Sequence, residues 1–237
     1  MPANVIEEDC EFGSVPNEVV DWLLARRFLT NLDCSMNVAC GRGGFAVPMS
    51  RAVRVLVCMD TDRSALDLTG RRCVGGCRTE LFERDWNGYV PSRGKYDSCL
   101  ISPSYLCFSR DSILRMESVS SRSCIAVFPT VFDYRNLRKA IIHSTGAKVS
   151  FPGFPDYRPF ISWLADQGRN YMTRSFESNQ DCSASLLRDC LVRDCIARGV
   201  PSDGLEAVVE RMTAPIVKGD RARCRFEARV IAWNVEG

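Results

Sequence analysis

No run of about eighteen consecutive apolar residues occurs in the chain, so no membrane-spanning helix is expected. Met1 to Glu11 are acidic rather than basic and hold no apolar core, which excludes reading them as a secretory signal. Histidine is nearly missing: His143 is the only one. No Cys-x2-Cys pair occurs either, and Cys73 and Cys77 form a Cys-x3-Cys without a third cysteine nearby. Zinc and iron–sulfur sites therefore lack a ligand set of the usual spacing, and no metal is expected. An excess of charge is also lacking, since 31 basic residues stand against 29 acidic ones. That balance carries no electrostatic signature of a nucleic-acid binder. The small basic cluster of Arg71, Arg72 and Arg78, with Arg63 nearby, reads as a solvated helix end. Repeats, low-complexity tracts and linkers are absent from the sequence, so one domain over residues 1–237 is expected.

What is present begins with thirteen cysteines, an odd number in a chain of 237 residues. A chain this long can bury a core without disulfides. The cysteines are read as reduced thiols in a cytoplasmic protein, and Cys58, Cys99 and Cys124, set in apolar runs, as small hydrophobes.

Apolar spacing predicts a helix over Pro16–Leu29, with Val19, Val20, Leu23, Leu24 and Phe28 on one face. Strands are expected at Asn37–Ala39, Val53–Met59, Thr79–Arg84, Ser98–Ile101 and Cys124–Phe128. Helices are expected between them, over Gly43–Ser50, Arg63–Leu68 and Asp111–Ser118. The strands are continuous apolar runs rather than alternating ones, which favours a parallel sheet covered on both faces. Beyond residue 130, a helix ending near His143 is followed by an aromatic, proline-rich loop over Phe151–Pro159. Helices are then expected over Ile161–Gln167, Leu186–Ala197 and Gly204–Met212, and strands over Tyr171–Phe176 and Arg223–Trp233.

Gly41, Gly43 and Ala46 fit the pattern G-x-G-x-x-G/A, between an expected strand and an expected helix. Glycines there permit a tight turn and close approach of a ligand to the backbone. Asp60 follows Gly41 by 19 residues, at the end of the next strand. A carboxylate at that place can accept hydrogen bonds from both hydroxyls of an adenosine ribose. Loop and acid together point to an adenine-containing cofactor.

Asn37-Val38-Ala39-Cys40-Gly41-Arg42-Gly43-Gly44-Phe45 resembles the first motif of the class I S-adenosylmethionine-dependent methyltransferases. Val57-Cys58-Met59-Asp60 resembles the second, Phe82-Glu83-Arg84-Asp85-Trp86 the third, and Tyr96 to Ser104 the fourth. The resemblance covers about residues 15–145 and implies an α/β, Rossmann-like, doubly wound fold. Its sheet would be mostly parallel and seven-stranded, with helices on both faces and an antiparallel closing strand. It further implies a helical lid over about residues 1–33 and a helical insertion over about 181–212, before the last strand. The cofactor implied is S-adenosyl-L-methionine, held by Asn37, Ala39, Cys40, Gly41, Gly43, Phe45, Asp60, Thr61, Asp85, Trp86 and Ser102. Asp85 would face the adenine amino group and Trp86 would line the ring. Two residues depart from the family pattern: Asn37 stands where an acid is usual, and Ala39 where the first glycine is usual. The amide can accept a hydrogen bond but brings no charge to the methionine end.

The reaction implied is in-line methyl transfer, in which proximity supplies much of the catalysis. Candidate catalytic residues are Ser102 and Tyr105 after the fourth strand, and Asp133 after the fifth, with Tyr134 beside it near the expected pocket rim. The segment Ser102-Pro103-Ser104-Tyr105 lacks the amide of the family's Asn-Pro-Pro-Tyr, which argues against copying amino-group methylation. His143, late in its helix, suits the helix C-terminus better than catalysis. Phe151–Phe160 could supply an aromatic acceptor pocket. A small-molecule acceptor is expected, with no membrane partner, and a homodimer is the default assembly. Two rivals stand beside this reading: an NAD(P)- or flavin-dependent oxidoreductase, and a non-catalytic module binding S-adenosylmethionine or S-adenosylhomocysteine. Asp85-Trp86, the helix before the first strand and the chain length speak against the oxidoreductase.

Overall fold

Residues 12–90, 92–101, 109–148 and 156–235 are described by a computed structural model of the chain. Ser102, Tyr105 and most of the Phe151–Pro159 loop lie outside them. The chain divides into two compact units. The larger contains Val15–Thr130, Gly153–Phe176 and Ala228–Gly237, and the smaller Met1–Ser14, Val131–Pro152 and Glu177–Glu227.

The strands are β1 (Cys34–Val38), β2 (Val55–Asp60), β3 (Arg78–Glu83), β4 (Tyr96–Ile101), β5 (Ser120–Phe132), β6 (Tyr171–Ser183), β7 (Val217–Lys218) and β8 (Arg221–Asn234). Their order is β3-β2-β1-β4-β5-β8-β6, with β7 paired to β8. The pairs from β3 across to β5 are parallel, and β7 runs antiparallel to β8. This is the Rossmann-like, doubly wound sheet that the sequence implied, with seven strands on the path and the two-residue β7 as an eighth. The α-helices among the described residues are α1 (Val15–Ala25), α2 (Ala46–Ser50), α3 (Arg63–Arg72), α4 (Arg110–Val119), α5 (Asp133–Ser144), α6 (Arg158–Asp166), α7 (Ala184–Ile196) and α8 (Leu205–Thr213).

In the larger unit, one sheet face carries Met36, Val38, Val57, Met59, Cys99, Ile101, Cys124 and Phe128. Ile113 and Met116 of α4 and Phe160 and Leu164 of α6 pack on it. α2 lies against β2, and α3 against β2 and β3. β1, β2 and β4 are buried along nearly their whole length, which favours apolar residues in them. Of the polar exceptions, Ser35 and Ser98 pair with each other at 2.7 Å across β1 and β4. Cys58, Cys99 and Cys124 are wholly buried in the sheet. No helix among the described residues is long and apolar enough to cross a membrane.

α1 ends at Ala25, four residues short of the expected Leu29. Arg27 turns left-handed at φ 60°, and the Phe28 and Leu29 amides both donate back to the Leu23 carbonyl. The short segment that follows is locked by Asp33, which is buried. Its carboxylate accepts from the Thr30 amide at 3.0 Å, from the Thr30 hydroxyl and from the Arg122 guanidinium. Its carbonyl accepts from the Arg54 and Val55 amides, which sets the start of β2 beside β1. Ser123 adds a 2.6 Å hydrogen bond to the Phe28 carbonyl. In the smaller unit, Asp194 of α7 is buried and accepts from the Tyr134 hydroxyl at 2.9 Å and from Arg138 at 3.0 Å.

Breaking a buried ion pair from one side leaves the other charge uncompensated, at a cost of roughly 3–5 kcal/mol. Arg122 keeps about a third of its side chain exposed, so Asp33→Ala is expected to cost near the lower figure. Urea unfolding of the variant against the native chain measures it.

Candidate cofactor site

At the carboxyl edge of the parallel strands, the chain leaves β1 through Ala39 and enters the glycine loop. β1 lies between β2 and β4, so the loop opens where the strand order reverses, the usual place for a ligand in such sheets. The Cys40 amide donates to the Met59 carbonyl at 3.1 Å, extending the β1–β2 ladder one step past Val38. The Gly41 amide then donates to Asp60 Oδ2 at 2.8 Å. Asp60 Oδ1 accepts from the Asp62 amide at 3.0 Å. One carboxylate thus ties the loop after β1 to the turn after β2.

The loop's outer side is fastened by α3. The Thr69 hydroxyl donates to the Gly41 carbonyl at 2.9 Å, and Arg72 donates to the Arg42 carbonyl at 2.8 Å. Gly43 sits at φ +91° with Thr69 against it, and a Cβ there would lie 3.1 Å from the Thr69 hydroxyl oxygen. Gly41 is at φ +54°, and apart from its two chain neighbours no atom of the described residues lies within 4 Å of where its Cβ would be. Among the described residues, the space beside its backbone is clear. Phe45, buried, precedes the first turn of α2. The expected helix over Gly43–Ser50 begins only at Ala46, because the loop keeps the residues before it in turns.

Cys40 is buried, and the Cys58 thiol beneath it shares a hydrogen bond with it. That bond and burial push the Cys58 thiol above its ordinary range, so Cys58 stays protonated as a packing group rather than a nucleophile. Asn37 is wholly buried in β1. Ala39 takes φ 53°, a left-handed conformation that costs an L-residue about 1–2 kcal/mol and glycine little.

Asp62 caps α3, accepting from the Ser64 amide and hydroxyl and from the Ala65 amide. The Ser64 hydroxyl chiefly holds its carboxyl below the usual value, helped by the Ala65 and Ser64 amides and opposed by burial. Thr61 beside it is exposed. Asp60 and Glu83 are register partners, so Asp85 lies beyond the same sheet edge. Asp85 is exposed, and its Oδ1 accepts from the Asn87 amide at 3.1 Å. Trp86 is buried in the core, where its indole N–H donates to Ser112 at 2.7 Å.

Of the catalytic candidates, Asp133 is the first residue of α5 in the smaller unit, and its carboxylate accepts from the Arg225 amide at 2.9 Å. Tyr134 is buried on Asp194. His143 is exposed in the last turn of α5. From the aromatic loop, Phe160 is a core residue, 5.4 Å from the Trp233 ring. Sequence reading missed Thr69, Arg72, Ser112 and Arg115. The available hint for Thr69 was a small polar residue beside Gly70 in the middle of a helix.

Two outcomes are expected. Ala39→Gly should raise stability by about 1 kcal/mol in urea unfolding, because it relieves the left-handed alanine. The Asp62 carboxyl is held below its unfolded value, so its stabilisation is fully present above that value and fades as pH falls through the lowered one. Asp62→Asn should therefore lose less stability than the native chain when unfolding is compared at neutral and acid pH.

No family profile and no curated protein matches the chain. Solved structures do. A candidate methyltransferase from Bacillus halodurans gives a TM-score of 0.55 at 13% identity, over 93% of this chain and 100% of that one. Magnesium protoporphyrin IX methyltransferase from Synechocystis, with S-adenosylhomocysteine bound, gives 0.50 at 15% identity, over 91% and 81%. A candidate RNA methyltransferase from Pyrococcus horikoshii gives 0.51 at 9% identity, over 93% and 85%. Identities this low carry the architecture and not the activity. The chain has the fold of the class I S-adenosylmethionine-dependent methyltransferases.

Proposed function

We propose that the chain binds S-adenosylmethionine at the Cys40–Phe45 loop and transfers its methyl group to a small-molecule acceptor. The observation that carries this reading is the Asp60 carboxylate, clasped to the loop at the edge where the strand order reverses. A carboxylate offers about four lone-pair sites. The Gly41 and Asp62 amides use two of them, and two remain for a pair of ribose hydroxyls. Asp85, exposed beyond the same edge, suits the adenine amino group, with Trp86 backing the segment. The open space beside Gly41 suits close passage of the ligand past the backbone.

When bound, the cofactor would supply an electrophilic methyl group on a sulfonium. The protein's own task is then to hold acceptor and cofactor in line and to keep the site ordered. A base is needed only where the acceptor loses a proton. Ser102 and Tyr105 follow directly from the end of β4 and are the candidates nearest in sequence to that edge. Asn37 leaves the methionine end without a carboxylate, and this neutral buried amide favours one second reading, a module that binds the cofactor or its product without turnover.

Asp60→Ala should weaken S-adenosylhomocysteine binding by about 1.5–3 kcal/mol, the worth of charge-assisted hydrogen bonds. Calorimetric titration of the folded variant measures it, and unchanged affinity would remove Asp60 from the site. Transfer of labelled methyl to a small-molecule extract separates the enzyme from the silent module.

A further inference from the structure

The segment after β3 is held with more contacts than a surface turn needs. Trp86 is fastened at three points. Its indole N–H donates to the Ser112 hydroxyl at 2.7 Å, and both groups are buried. Its backbone carbonyl accepts from the Arg115 guanidinium, which also lies over its ring at 5.6 Å from the centroid. On its own side of the turn it stacks with Tyr89, at 6.2 Å and 29°. Tyr89 in turn shares a hydrogen bond of 3.2 Å with the hydroxyl of buried Tyr96 on β4. Ser112 is itself fixed, its amide capped by Ser109 at 3.1 Å. Ser112 and Arg115 are one helical turn apart on α4 and grip the same residue from one side.

This grip ends one residue from Asp85, whose side chain is exposed two residues beyond Glu83, the register partner of Asp60. An exposed carboxylate on a free turn would sample many positions and discriminate little between ligands. One whose neighbour is bolted through backbone, indole and ring is held in place before a ligand arrives, and pre-organisation of this kind turns a contact into selectivity. We infer that Ser112 and Arg115 of α4 are positioning residues that hold Asp85 to read the amino group of the cofactor's adenine. The inference rests on the S-adenosylmethionine reading above. Neither residue belongs to the four motifs, and neither touches the ligand in this account.

The test compares binding of S-adenosylhomocysteine with that of S-inosylhomocysteine, in which the adenine amino group is replaced by a carbonyl oxygen. Asp85 can accept a hydrogen bond from the 6-amino group of the first base but meets a carbonyl acceptor at that position on the second, whose donor sits on N1 instead. The native chain should prefer the adenosyl ligand by about tenfold or more. Ser112→Ala and Arg115→Met should each bring that preference to within about threefold of unity. Asp60→Ala should weaken both ligands alike and leave the preference standing, since it acts on the ribose. A merely structural role for α4 would lower both affinities together and keep the ratio. Ser112→Ala leaves a buried indole N–H unpaired; should it fail to fold, Arg115→Met decides alone. A native chain that binds both ligands equally overturns the inference and leaves the cofactor reading in place. Variants that fold and keep the full preference also overturn it. A native chain that binds neither ligand overturns the cofactor reading itself.

Discussion

The Asp60 carboxylate joins the end of β2 to the loop leaving β1, and the site depends on that link. Its two oxygens take the Gly41 and Asp62 amides, one from each neighbouring strand's exit. The loop it holds contains two left-handed glycines and follows a left-handed alanine. The loop is closed from outside by α3, whose Thr69 and Arg72 take up the Gly41 and Arg42 carbonyls. The helix start that places those two residues is capped by Asp62, two residues after Asp60. A few consecutive residues, Asp60 to Asp62, therefore end a strand, clasp a loop and begin the helix that braces it.

β2 was legible because burial on both faces favours an unbroken apolar run, whereas β1, expected at Asn37–Ala39, runs over Cys34–Val38 and was masked by its buried polar residues Ser35 and Asn37. The glycine loop was legible for the complementary reason, since its φ values demand residue types that stand out in a sequence. The second half of β6 was not. Glu177–Ser183 is polar and reads as loop, yet Glu177 and Asp181 pair with Arg225 and Arg223 of β8. Partners more than forty residues away leave no local period. β7, two residues long, could not be read at all.

The supports of the site were illegible on the same ground. Thr69 and Arg72 act on carbonyls 28 and 30 residues distant. Ser112 and Arg115 reach Trp86 from α4, 26 and 29 residues further along the chain. Trp86 itself shows the difference between a motif and its packing. The family pattern marks it as lining an adenine ring, while the fold buries it and bolts it to α4, leaving Asp85 as the exposed member of the pair. Ala39 and Asn37 remain the two places where the sequence departs from the pattern. The first carries backbone strain, and the second is a wholly buried amide in place of the pattern's acid.

Equilibrium titration of the native chain with S-adenosylhomocysteine, alongside NADH under the same conditions, tests the central claim most directly. Saturable binding of S-adenosylhomocysteine at one site per chain, and none of NADH, is the expected result. Binding of NADH without S-adenosylhomocysteine would contradict it.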